Sequence, residues 1–201
     1  MVVPSRALPG PPLMRASHIH SNLLELDTLG PLVAAQVKQR ISKETLDAVG
    51  DASTIAWLPV EHDIEISTAV RDVLGIAGLR AWSLEAMARS AQGPLIRPLS
   101  DGASKLFGIT PHALYRVLPR GYGVVYRNCG ENAYEQTSES TGVVTQTGVP
   151  SLLFDNDYLE GTAGAFMSFP RFFGFEGAVV LRLSPTTRTA VFEVSWRRPG
   201  K

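Results

Sequence analysis

DNDYLEGTAGAFMSFPRFFGF, residues 155–175, sets three carboxylates and an asparagine ahead of five phenylalanines and three glycines. Its reading decides how the second half of the chain folds. Thr162, Phe166, Phe169 and Phe173 recur three or four residues apart, the interval of one helix face. Gly161, Gly164, Ala165 and Ser168 make a second, flatter strip. One helix is predicted, bent or ended early by Pro170, with Gly174 capping what remains. Its aromatic face either fills a core or walls an apolar pocket, and its small face lets a sheet or another helix come close.

The acids in front of that helix have two readings. Asp155, Asn156, Asp157 and Glu160 carry enough oxygen for a hard cation such as Mg²⁺ or Ca²⁺. With Asp157 as N-cap, however, its carboxylate accepts from the N–H of residue 160, and Glu160 reaches back in the manner of a capping box. Helix initiation is preferred and no metal is assigned. The ligand pattern of an EF-hand is missing.

Working outward, the segments on either side read as strands. GYGVVYRN, NAYEQTSES and GVVTQTG, all after Pro119, are rich in Val, Tyr and Thr and broken by glycine, giving two or three antiparallel strands. GAVVLRLS and RTAVFEVSW follow the helix; Val179, Leu181 and Leu183 alternate with outward residues, and the intervening SPTT is turn chemistry, so this is a hairpin.

The first half reads as helical. Residues 1–12 hold four prolines and a glycine, so residues 1–30 are read as a flexible tail, with Met14 as an alternative start. Pro31 opens a helix, and Ser42 caps another over 43–49 that Gly50 stops. After Pro59, Ile66, Val70, Val73, Leu74 and Ala77 recur at helical spacing, with Glu61, Asp63 and Glu65 complementing the positive end of the helix dipole. Gly75 and Gly78 loosen the junction before Leu79, Trp82 and Ala86 carry the apolar face to Ala91. Short helices are expected over 99–107 and 111–118. The fold class is therefore α+β: a mostly helical N-terminal half, 31–118, packed on a C-terminal antiparallel sheet of about four strands, 119–198, interrupted by one helix, the whole of 31–201 being one domain.

Composition excludes several classes. Nineteen basic and nineteen acidic residues leave no net field to draw the chain onto nucleic acid. No window approaches the ~18 apolar residues of a spanning helix. A single cysteine, Cys129, rules out an internal disulfide or a multi-cysteine zinc site and suits the cytoplasm. As a nucleophile Cys129 would need His112 or Arg127 beside it, and nothing in the spacing ties either to it. His18 and His20 fall in the expected tail without a third ligand. Phosphate loops, nucleophile elbows and kinase signatures are absent.

The order of YGVVYRN and GVVTQTG, then DYLEGTAGAFMSFPRFFGF, then GAVVLRLSPTTRTAVFEVSW resembles the group of folds shared by haem nitric-oxide/oxygen binding domains, 4-vinyl reductase-like small-molecule-binding domains and TRAPP-type transport-particle subunits. Within that group the chain, over residues 55–197, resembles a paralogous family described from myxobacteria, carried by Tyr158-Leu159-Glu160-Gly161 and the closing Phe192 to Trp196. The resemblance implies helices enclosing a pocket above a twisted sheet, and sensing or scaffolding more than catalysis. Haem does not carry over: the alternating tyrosine, serine and arginine of the haem-binding branch are missing from YRNCG and YEQTS, and His112, the one candidate axial ligand, falls in a helix's first turn.

The leading expectation is a cytoplasmic, non-enzymatic sensor or signalling domain that binds a small apolar ligand or a protein partner. Trp82, Phe166, Phe169 and Phe173 would line its pocket, with Tyr158 and Arg127 as polar handles. The alternatives are a homodimeric interaction or scaffold protein without a ligand, and an enzyme using Cys129 or the acids around Asp157.

Overall fold

The structure, a computed structural model, describes residues 10–92, 110–154 and 156–200, with residues 97 and 102 between them. Its larger sheet has four antiparallel strands in the order β4-β5-β7-β6: β4 (Glu131–Gln136), β5 (Thr141–Thr147), β6 (Glu176–Ser184) and β7 (Thr189–Arg197). Side chains alternate across it as a half-buried sheet requires. On β7, Ala190, Phe192, Val194 and Trp196 are buried toward the helices. Phe192 stands opposite Val144 of β5 and Leu181 of β6, and Val194 opposite Val179, which fixes the register. Gly142 of β5 lies across from Val194, and a Cβ there would strike the ring of Tyr134 on β4.

The helix predicted over the opening stretch is α6 (Asn156–Met167), continued as a 3-10 turn over Phe169–Phe173 and closed by Gly174 in the left-handed conformation. Pro170 stands at the start of that turn, where its missing N–H costs nothing. The small strip of α6 meets α4 (Glu61–Ala91): a Cβ on Gly164 would overlap the backbone of Arg80, and one on Gly161 would come 3.2 Å from Ser83 Oγ. Helix α4 is broken at Gly75, whose φ of 70° is open to glycine and strained for other residues. Helices α2 (Pro31–Lys38) and α3 (Lys43–Asp51) start where expected, and the Ser42 hydroxyl accepts from the N–H of Thr45 as an N-cap should.

Four expectations are corrected. The flexible tail is not found from residue 13 onward: β1 (Leu13–Arg15) and α1 (Ala16–Leu26) are formed, and Met14, Ile19 and Leu26 are fully buried. Ile19, Leu23 and Leu26 share one helix face, and this local signal outweighs the neighbouring prolines. GYGVVYRN is not a strand either. Residues 111–125 are one helix, α5 (Pro111–Val125), running through Pro119, and only Tyr126–Arg127 is extended, as β3 in a small sheet of order β2-β1-β3 with β2 (Trp57–Pro59). Pro119 is exposed and forfeits one helical hydrogen bond, while Leu114, Tyr115, Leu118, Tyr122 and Val125 bury one face of that helix. The boundary between helices and large sheet thus lies past 125 instead of at 119.

The capping box and the stop expected at Gly50 are the other two: α3 runs through Gly50, which is not in the left-handed conformation, to Asp51. Asp157 lies inside α6 and pairs with Arg71, and Glu160 takes the Nε of Arg80 at 2.5 Å, so both acids cross to α4. Arg80 also donates to the Val179 carbonyl at 3.1 Å, tying α4, α6 and β6 together. Glu61 and Asp63 stand in the first turn of α4 as the dipole reading expects, and Asp63 is buried there. The helix expected over 99–107 lies outside the described residues apart from residue 102.

Candidate functional site

Between α6 and its 3-10 turn, α5, the end of α4 and the start of α1 lies a cavity of about 100 Å³. Its wall is almost wholly apolar: Leu114 and Leu118 from α5, Leu159, Phe166 and Phe169 from α6 and the turn after it, and Val149 and Leu153 from the segment that follows β5. The Phe166 wall is fixed by packing outside the cavity. Phe166 lies edge-on to Phe192 of β7, with ring centres 4.9 Å apart, and the Tyr115 hydroxyl donates to the Phe166 carbonyl at 2.8 Å. Tyr115 stacks on Trp196 and Tyr134 in turn. Phe166 therefore serves core and cavity at once, one edge on the sheet and one on the void.

A second chamber of about 40 Å³ adjoins the first, sharing His18, Tyr126, Tyr158 and Thr162 with it. Here the wall is polar. Asn22 Nδ2 donates to Asp63 Oδ1 at 2.5 Å, the Tyr158 hydroxyl donates to Asp63 Oδ2 at 3.3 Å, and His18 Nδ1 meets Ser90 Oγ at 2.9 Å. Burial pushes the Asp63 carboxyl up to about 6, against the pull of the Asn22 and Tyr158 hydrogen bonds, and pushes His18 down to about 4. Trp82 also lines this chamber, and its buried indole N–H has no partner among the described residues.

The expected site residues divide. Phe166, Phe169 and Tyr158 are brought together on the larger cavity, Tyr158 reaching into both chambers, and Trp82 faces only the smaller one. Phe173 packs instead against Ala113 and Leu114 of α5 and does not line the cavity. Arg127 is exposed on β3 and lies over the ring of Trp57, 4.1 Å from its centre, with Arg15 at 3.9 Å; it is no handle on the cavity. Sequence reasoning missed His18, Asn22 and Asp63; Asn22 and Asp63 lie 41 residues apart, and all three read singly as tail or dipole residues. On the other wall, Gln146 donates to the Tyr122 hydroxyl at 2.6 Å; among the described residues its carbonyl oxygen has no partner, nor does the amide of its cross-strand neighbour Asn132.

Among the described residues, neither Cys129 nor the acids around Asp157 stand in a catalytic arrangement. Cys129 is buried, its thiol donates to the Arg127 carbonyl at 3.0 Å, and burial pushes it up to about 12, so it stays a thiol. Asp157 and Glu160 are neutralised by Arg71 and Arg80. No cluster of three or more His, Cys, Asp or Glu able to hold a metal occurs among the described residues.

Nor do the described residues fit a haem. The apolar chamber is well below the ~300–1,000 Å³ of common cofactor sites. His112 has both ring nitrogens engaged, Nδ1 with the Tyr134 hydroxyl at 2.5 Å and Nε2 with the Glu139 carbonyl at 3.0 Å, and it stands away from the cavity.

No protein-family profile and no curated protein sequence matches the chain. Solved structures do. An H-NOX protein from K. algicida superposes with a TM-score of 0.59 at 11% identity, over 94% of this chain and 99% of its own. A T. tengcongensis H-NOX point mutant gives 0.58 at 10% identity, over 94% of this chain and 100% of its own. An oxygen-binding H-NOX domain related to soluble guanylate cyclases gives 0.57 at 10%, over 93% and 96%. Identities this low speak to architecture, and the overlap spans nearly the whole of both chains: the α+β fold of this protein is H-NOX-like.

Proposed function

We propose that this protein is a small-molecule-binding sensor domain, without catalytic activity of its own, whose ligand occupies the apolar cavity between α5, α6 and the end of α4. One observation carries the reading: a void lined by apolar side chains from several separate elements, with Phe166 among them fixed by packing and a hydrogen bond outside it. A core needs no such void, because close packing is worth free energy that an empty space forfeits. The ligand is of single-ring or short-chain size, since an apolar cavity of ~150 Å³ takes benzene. The H-NOX-like fold supports a sensing role, and the resemblance to the myxobacterial paralogous family belongs to the same proposal, as does a cytoplasmic location. Haem is not part of it.

Thermal unfolding with and without toluene tests the reading. A concentration-dependent rise in Tm is expected, abolished by Leu118→Trp, which fills the cavity from α5. Toluene that leaves Tm unchanged, or stabilises L118W equally, would place binding elsewhere and sink the proposal.

A further inference from the structure

The smaller chamber is built differently from the cavity it adjoins. Trp82, 3% exposed, lines it with an indole N–H that meets no acceptor among the described residues. A buried donor left unpaired is costly, and native structures seldom leave one without a water or a ligand. Close by is spare accepting capacity: the Asp63 carboxylate has room for about four hydrogen bonds and receives one from Asn22 and one from Tyr158. Ser67 and Ser83 add hydroxyls that donate or accept. No lysine or arginine among the described residues lines the chamber, and an anionic head would meet the buried carboxylate with none of them to offset it. A protonated amine could meet Asp63 but cannot accept from Trp82, leaving the orphan donor as it was.

We infer that the ligand carries one neutral head group that both accepts and donates a hydrogen bond, an alcohol-type hydroxyl, and that it accepts from the Trp82 N–H and donates to Asp63 while the apolar body fills the larger cavity. The two chambers share Tyr158, Thr162, Ala165 and Met87 as common walls, so one molecule can span them. This rests on the larger chamber's being a ligand site, and it adds the chemical class. The head is of hydroxyl size, because about 40 Å³ holds little more than a water or two.

Four probes of one shape separate the possibilities: toluene, benzyl alcohol, benzoate and benzylamine, titrated against the full chain. Benzyl alcohol should bind about tenfold or more tightly than toluene, as one well-formed buried hydrogen bond provides, with benzoate and benzylamine both weaker than the alcohol. In ¹H–¹⁵N spectra the Trp82 indole signal should shift with benzyl alcohol and stay in place with toluene. Trp82→Phe should remove the alcohol's advantage over toluene. Should W82F not fold, the wild-type indole signal, assigned through its ring protons, still decides. Equal binding of toluene and benzyl alcohol would mean the chamber holds only water, overturning the inference while the apolar site stands. Tightest binding of benzoate or benzylamine would overturn the neutral head. Failure of all four to bind removes the apolar site and the inference with it.

Discussion

Tyr158 on α6 donates its hydroxyl to the carboxylate of Asp63 on α4, 95 residues earlier, with both side chains buried. Asn22 of α1 donates to the other oxygen of the same carboxylate. Three helices thus converge on one carboxyl group held off solvent, and the energetics of that group are open to measurement.

Burial raises the Asp63 carboxyl from its ordinary 3.8 to about 6. The folded state therefore holds this proton more tightly than the unfolded chain. The group's contribution to stability is fully present below about pH 4 and is lost as pH rises through 6. A gap of about two units corresponds to ~3 kcal/mol. Relative to wild type, Asp63→Asn should gain roughly that much between pH 4 and pH 7 in urea unfolding; a difference that does not change with pH would mean the carboxyl is hydrated.

His18 has the opposite sign. Burial lowers it to about 4 from 6.5, so its contribution is present above pH 6.5 and is lost as pH falls through 4. Its ring signals should stay those of neutral imidazole down to about pH 5. A titration midpoint near 6.5 would show the ring to be exposed.

How much of this could be read in the sequence depends on whether the signal is local. The α6 helix, its Pro170 and Gly174 stops, the Ser42 cap and the Gly75 break all follow from residues within a turn or two of each other, and they are found where expected. GYGVVYRN went wrong because its valines and tyrosines favour strands in isolation, whereas Tyr122 and Val125 extend the buried helix face begun at Tyr115 and Leu118. Phe166 and Phe169 were legible as one aromatic face; Phe173 was not separable from them by spacing, since the 3-10 turn after Ser168 rotates it onto Ala113. The polar chamber was illegible because no local pattern brings Asn22, Asp63 and Tyr158 together.

The crossing of α6 on α4 depends on Gly164, where a methyl group would overlap the Arg80 backbone. Gly164→Ala should cost about 1–3 kcal/mol, a Tm loss of several degrees at this chain length. Gly50→Ala in α3, where a Cβ meets nothing within 4 Å, should be neutral or stabilise by up to ~1 kcal/mol. Equal effects at the two positions would contradict the close packing.

Cys129 should resist thiol reagents in the native protein and react at the ordinary rate once unfolded, because its thiol is buried and pushed up to about 12. A native rate matching that of the unfolded chain would put the thiol at the surface.

The ligand itself is tested most directly by native mass spectrometry of protein purified from its own source, set against the denatured mass of the same sample. The expected result is a small stoichiometric mass present natively, lost on denaturation, and identified after extraction as an apolar molecule with one hydroxyl. The same spectrum reports whether the chain is a monomer or a homodimer. Native and denatured masses that agree for each chain, in a protein that also takes up neither toluene nor benzyl alcohol, would contradict it: the cavity between Phe166, Phe169 and Leu118 would then be a packing defect.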